Sequence, residues 1–242
     1  MLSVRNLAKS YGALTVLRDV SFDVAAGEIL GIAGPNGSGK STLFNVLTGI
    51  PVRADAGEIL FEGRDIRGLP APAIVAAGLV RTFQRETAFE TLTALENVLA
   101  GPLHGLRTPY AEARRRADAA LDAVGFPAER IGWVAADLSV FDRKRLMIAS
   151  ALALNPKLCL FDEPVAGLAP PEIQAIMAIL RRLRERGTAA ILVEHVLPAL
   201  LGVSDRLMVL HQGVVLATGA PQDVIRDPSV IDAYLGPGRH AA

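Results

Sequence analysis

The sequence predicts an α/β protein: a core with a parallel sheet, an N-terminal antiparallel β layer and an inserted α-helical subdomain. Three observations predict it. Short apolar runs alternate with helical stretches through the last third of the chain. Period-two alternation marks its beginning. From Thr91 to Leu154 the character changes to alanine, leucine and arginine at helical spacing. Apolar strands separated by helices argue for a sheet covered on both faces. A chain of 242 residues, 51% of them hydrophobic, can bury a sizeable core as one large domain.

Each element has its own signal. Leu2–Leu7 and Val20–Val24 alternate like half-buried strands, and Ala26-Gly27 turns into the apolar strand Glu28–Ala33. Thr42–Thr48 reads as a helix closed by Gly49. Glu58–Phe61 is a short strand followed by the turn residue Gly63. Pro70–Gly78 is a short helix before the strand Leu79–Phe83. Glu112–Val124, closed by Gly125, and Arg143–Leu154 are amphipathic helices. The core resumes as strand Lys157–Phe161, helix Pro171–Arg186, strand Ala189–Val193, a helix, and strand Arg206–Leu210. His211-Gln-Gly213 reads as a hairpin turn. The expected organisation is a single domain over 1–242, with a helical subdomain at about 88–154 and a short helical tail within 221–242.

Residues 34 to 41 read Gly-Pro-Asn-Gly-Ser-Gly-Lys-Ser, between a buried strand and a helix. This is the spacing of a phosphate-binding loop. Gly34, Gly37 and Gly39 let bare backbone approach a ligand. The loop amides of Asn36, Ser38 and their neighbours, with a helix N-terminus running into Thr42, suit a chain of phosphates. Lys40 adds a point charge near the β and γ phosphates, and the Ser41 hydroxyl can ligate Mg²⁺. Such a loop binds ATP or a similar nucleoside triphosphate.

Leu158-Cys-Leu-Phe-Asp-Glu-Pro164 places two carboxylates at the C-terminal end of an apolar strand, where ligands sit in open α/β sheets. Asp162 is suited to holding Mg²⁺, and Glu163 to polarising an attacking water.

With both motifs present, the chain resembles the ATPase subunits of ABC transporters, which are P-loop NTPases, over nearly its whole length. The resemblance implies further roles. Tyr11 resembles the aromatic residue that stacks on adenine, with Val16 beside it. Val80-Arg-Thr-Phe-Gln84 resembles the glutamine loop, in which Gln84 senses Mg²⁺ and the γ-phosphate. Val193-Glu-His195 resembles the switch-histidine loop. Arg-Thr-Phe-Gln, the Asp-Glu-Pro-x-Ala-Gly-Leu run and the ending Val230-Ile-Asp-Ala-Tyr-Leu-Gly236 are similar to subunits of branched-chain amino-acid importers and to related amide and urea importers. That implies a second ABC ATPase subunit, transmembrane permease subunits and, indirectly, a solute-binding protein as partners. It also implies a cytoplasmic location on the inner face of the membrane.

One family motif is altered. Where these ATPases read Leu-Ser-Gly-Gly-Gln at a helix start, this chain reads Leu138-Ser139-Val140-Phe141-Asp142. In the family this motif reaches the γ-phosphate held by the opposite subunit, so Ser139 is its trans-acting remnant. Phe141 is expected to obstruct the close approach that glycine permits, and Asp142 to add negative charge where phosphate should come. Each hydrogen bond lost to a charged group costs on the order of 1.5–3 kcal/mol. Arg143-Lys144-Arg145 reads as a solvated helix face. Ala169 stands where the family usually ends a short loop with Asp. A homodimer would carry two impaired sites, whereas a heterodimer with an unaltered partner keeps one intact, so an asymmetric heterodimer is expected.

Composition narrows the alternatives. Twenty-five basic residues balance twenty-five acidic ones, giving no field to attract nucleic acid. No apolar run reaches the roughly 18 residues that span a bilayer, and no N-terminal signal peptide is evident, so no direct membrane insertion is expected. Cys159 reads as a buried small hydrophobe. Trp133 reads as a packing residue, and Arg114–Arg116 and the arginines of 181–186 as solvated faces. Two competing readings are a regulatory nucleotide-binding subunit with little turnover and a soluble non-transport ABC ATPase of DNA repair or translation. The latter usually carries tandem cassettes, coiled-coil insertions or basic extensions, and none is present.

Overall fold

The computed structural model describes residues 1–82 and 88–235. The N-terminal layer is a four-stranded antiparallel sheet of order β2-β1-β4-β5, from β1 (Leu2–Tyr11), β2 (Leu14–Val24), β4 (Ala56–Phe61) and β5 (Arg64–Asp65). Its first two strands run further than the alternation indicated. Irregular pairing with register shifts between Val4 and Ser10 breaks the period-two pattern there.

The core sheet has the order β10-β9-β3-β8-β7-β6. β3 (Ile29–Ala33), β6 (Leu79–Arg81), β7 (Leu158–Asp162), β8 (Ala189–Val193) and β9 (Arg206–His211) are parallel, and β10 (Val214–Gly219) pairs antiparallel at the edge. Successive side chains of these strands go to opposite faces. Cys159 and Phe161, Ala190 and Leu192, and Leu207 and Val209 join the core under the helices. Leu158 and Leu160, Ile191, and Met208 and Leu210 join the core under the antiparallel layer. Continuous burial on both faces is why these strands read as unbroken apolar runs. Burial pushes the Cys159 thiol up to about 12, so it is a packing residue and not a nucleophile.

Between β6 and β7 the chain runs through α3 (Ala94–Ala100), a π turn, α4 (Tyr110–Ala123) and α5 (Val140–Leu152). Thr93 and Glu96 form a capping box at the start of α3. α5 begins three residues before the expected Arg143, because the Ser139 hydroxyl accepts the Asp142 N–H as an N-cap. The remaining helices are α1 (Lys40–Thr48), α2 (Ala71–Ala77), α6 (Pro170–Glu185), α7 (Leu197–Val203), α8 (Pro221–Val224) and α9 (Pro228–Leu235). No helix among the described residues is long and apolar enough to cross a membrane. Trp133 does not pack into the core. It is 47% exposed, with the Arg130 guanidinium 5.4 Å from its ring centroid.

Candidate active site

The phosphate loop joins β3, the strand flanked by β8 and β9, to α1. Glycine is required on steric grounds at its first position: a Cβ on Gly34 would lie 2.1 Å from the Leu210 carbonyl oxygen. Gly39, at φ +109°, is the left-handed residue from which α1 starts. The hairpin turn at Gln212-Gly213 braces the loop from behind. The Gly213 N–H donates to the Ser38 carbonyl (3.0 Å), and the Arg18 N–H donates to the Gly213 carbonyl (2.8 Å). A turn between two core strands thereby ties the loop to the antiparallel layer.

Lys40 is buried, and its ammonium donates to the carbonyls of Gly34 (2.7 Å) and Pro35 (3.0 Å). Burial pushes it below the ordinary lysine range, against the opposing pull of Glu163 and Asp162. An incoming phosphate can take over these ammonium hydrogen bonds. A cleft of about 240 Å³ opens above the loop, lined by Val16, the loop residues from Asn36 to Thr42, Glu163, Val193 and His195. Most of the residues singled out from separate parts of the sequence therefore meet around one cavity. Tyr11 does not line it. Its ring is 44% exposed, with the Lys9 ammonium 5.5 Å from the centroid. Gln84 lies outside the described residues.

Asp162 ends β7 and is almost fully buried. The Arg81 guanidinium holds one of its carboxylate oxygens at 2.9 Å and bonds the Asn45 side chain at 2.7 Å. Arg81 was given no role of its own in the sequence, since its partner is remote in the chain. Glu163 sits at φ +51°, a left-handed conformation uncommon for residues other than glycine. Its N–H donates to the Val193 carbonyl at 2.9 Å. Its carboxylate faces the cleft, with Oε1 3.1 Å from His195 Nε2. Glu194, beside the histidine, turns inward and accepts the Val165 N–H at 2.8 Å and the His195 N–H at 3.2 Å. Burial pushes its carboxyl above the usual range, only partly offset by these donors. Glu194 is thus a clasp between the loop after β7 and the loop after β8. An acidic residue closing a fully apolar strand was the signal available for it.

The altered motif at the start of α5 has a different geometry from the one its residue types suggested. Asp142 does not face outward: it is 1% exposed, paired with Arg130 at 2.6 Å and with Arg145. Burial pushes this carboxyl up, but the hydrogen bonds from Arg145 and Arg130 prevail and hold it below the usual carboxylate range. The Phe141 ring packs against the helical core, with the Arg145 guanidinium 4.3 Å from its centroid. Ser139 and Val140 are the exposed residues at the helix entry. Nor is 143–145 a solvated face. Lys144 is 3% exposed, and its ammonium donates to the Glu163 carbonyl at 3.1 Å.

A glycine-lined loop at the end of a central parallel strand, facing an acidic strand end and a histidine, defines a nucleotide-hydrolysing cassette. The family model described as "ABC transporter" matches residues 17–166, and one described as "Branched-chain amino acid ATP-binding cassette transporter" matches residues 214–236. The chain belongs to the ABC transporter family, as an ATP-hydrolysing subunit. It is 39% identical over 236 residues to the lipopolysaccharide export system ATP-binding protein LptB of Acidithiobacillus ferridurans, covering 98% of this chain and 97% of the relative. It is 36% identical over 250 residues to the high-affinity branched-chain amino acid transport ATP-binding protein LivG of Salmonella typhimurium, covering 98% of each. Among solved structures, the ADP conformation of MJ1267, an ATP-binding cassette of an ABC transporter, superposes with a TM-score of 0.89 at 34% identity, covering 98% of each chain. The cassette MJ0796, dimeric in a post-hydrolysis state with ADP and Pi, gives 0.82 at 27% identity, covering 91% of this chain and 99% of that one. Cassettes of this family bind ATP and ADP, dimerise and work with transmembrane permease subunits.

Proposed function

We propose that this chain energises an importer of branched-chain amino acids as one half of an asymmetric ATPase dimer. The observation that carries the hydrolytic part is the Glu163–His195 pair, 3.1 Å apart across the mouth of the phosphate loop. The loop amides and Lys40 grip the phosphates. Glu163 accepts a proton from the attacking water, while His195 orients that carboxylate and, with Gln84 in the role its resemblance implies, reads the γ-phosphate. The Ser41 hydroxyl and the carboxylate of Asp162 are hard oxygen donors of the kind that hold Mg²⁺, which when bound neutralises phosphate charge. Arg81, 2.9 Å from one of its carboxylate oxygens, orients Asp162 for this. The exposed Tyr11 ring is available to stack on adenine, next to Val16 in the cleft wall.

The substrate class rests on the C-terminal match over 214–236 and on similarity to LivG. The comparable identity to LptB favours a second reading, a cassette serving lipopolysaccharide export. Co-purification separates the two. Import predicts permease subunits, a second ATPase subunit and ATPase stimulation by a leucine-loaded solute-binding protein. Stimulation by lipopolysaccharide instead would establish the export reading. In either case the complex, and with it this chain, would sit on the inner face of the membrane through its permease.

The partner is expected to be a different ATPase subunit. This chain's Glu163 and His195 are completed by the partner's signature, while its own Ser139 and Val140 reach the partner's nucleotide. The loss of both glycines weakens that second contact through backbone conformation and the exposed Val140 side chain, not through the charge of Asp142.

A further inference from the structure

We infer that Lys144 is a positioning residue that couples the two nucleotide sites by fixing the backbone of Glu163. The inference rests on the base assignment of Glu163 made above. In the proposed dimer, on which the inference also rests, the exposed Ser139 and Val140 at the entry of α5 meet the partner's nucleotide, and one turn further on the helix carries Lys144. The Lys144 side chain is buried, and its ammonium donates to the Glu163 carbonyl at 3.1 Å. That carbonyl also accepts the Ala166 N–H at 3.3 Å, while the Glu163 N–H is held by Val193 at 2.9 Å.

Glu163 needs this fixation. Its left-handed backbone turns the carboxylate out of the β7 direction and toward His195, and non-glycine residues populate that conformation sparsely. A buried ammonium donating to a carbonyl is a charge-assisted contact that selects one orientation of the peptide. Ser139 caps the helix that carries Lys144, its hydroxyl accepting the Asp142 N–H, so engagement of Ser139 by phosphate on the partner is felt at the Lys144–Glu163 contact. One chain thereby connects the nucleotide it touches in trans to the carboxylate acting on its own nucleotide. The contact is not made through the Glu163 side chain, so it affects hydrolysis without touching ATP.

The test uses the complex of this chain with its co-purifying subunits. Steady-state and single-turnover hydrolysis are measured alongside calorimetric binding of ATPγS. Lys144→Met is expected to lower kcat at least tenfold and leave the ATPγS Kd within twofold. Lys144→Arg, which keeps the charged donor, is expected to return kcat to within threefold of wild type. In the Glu163→Gln background, Lys144→Met is expected to add no further loss. Lys144→Gln is read in the same way should the methionine variant fold poorly. An unchanged kcat, or an equal loss on top of Glu163→Gln, overturns the coupling. Wild-type turnover by Glu163→Gln alone overturns the base assignment and the coupling together, which distinguishes the two failures.

Discussion

The phosphate loop and the entry of α5 are both helix N-termini, and in the function proposed above both meet phosphate, yet they are constructed differently. At the loop, backbone does the recognition. Gly34 and Gly39 allow a chain path that side chains would block, Lys40 satisfies itself on loop carbonyls until phosphate arrives, and the 212–213 turn holds the loop from behind. At α5 the glycines are gone and side chains have been absorbed into the protein: Asp142 into an arginine pair, Phe141 into the core, Lys144 onto Glu163. The first helix end presents backbone and a cation to the cleft. The second is secured from within and presents only Ser139 and Val140. A departure from a family motif is therefore a statement about which side chains face outward, and residue type alone does not decide that.

The largest effects in this contrast are expected at Lys40, on binding, and at Glu163, on turnover. Lys40→Ala removes the one cation of the loop and should weaken ATP binding by about a hundredfold, on the scale of one or two charged hydrogen bonds; calorimetry reads it directly. Glu163→Gln keeps the shape of the site and removes the base. Turnover should fall by about a hundredfold or more with ATP affinity retained, and undiminished turnover would mean another group takes the proton.

Asp142 sharpens the comparison through stability. Asp142→Ala leaves two guanidiniums without their carboxylate. Because Arg130 is partly exposed and can reach water, the expected cost is about 2 kcal/mol, less than for a wholly buried pair. The sign of its pH dependence follows from the depressed folded pKa. The Asp142 contribution is fully present above the ordinary carboxylate range of about 4 and is lost as pH falls through the lower folded value. Acid melting curves of wild type and variant should therefore converge at low pH. Curves that stay parallel would remove the ion pairs from the account. The smallest effect is expected for Val140→Gly, which opens the α5 entry. Turnover of the assembled complex should rise by no more than about tenfold, one regained phosphate contact, and no rise at all would make this helix end a bystander.

Much of this was legible because local rules govern it. The loop spacing marked the turn between β3 and α1 that lines the cleft, and unbroken apolar runs marked the parallel strands. The acidic pair at 162–163 was marked by its place at a strand end, whereas His195 stood out only through the resemblance of Val193-Glu-His195 to the switch-histidine loop. What escaped depends on partners far away in the chain. Arg81 and Asp162 meet only because β6 and β7 are neighbours. Lys144 sat in a run of three basic residues that looks like a wetted face, although it shares its helix face with Ile148 and Ala151 at i, i+4 and i+7. That periodicity was the available cue, outweighed by the prior against burying lysine. Asp142 was misplaced for the same reason: charge suggested exposure, and its two arginine partners were not visible in the linear order.

The contrast between the two helix ends is tested most directly by ATP turnover per subunit of this chain alone and of this chain assembled with the second ATPase subunit that co-purifies with it. The account predicts that the chain alone turns over at least about tenfold more slowly, since each of its sites would be completed by an altered α5 entry. Equal rates in the two preparations would contradict it.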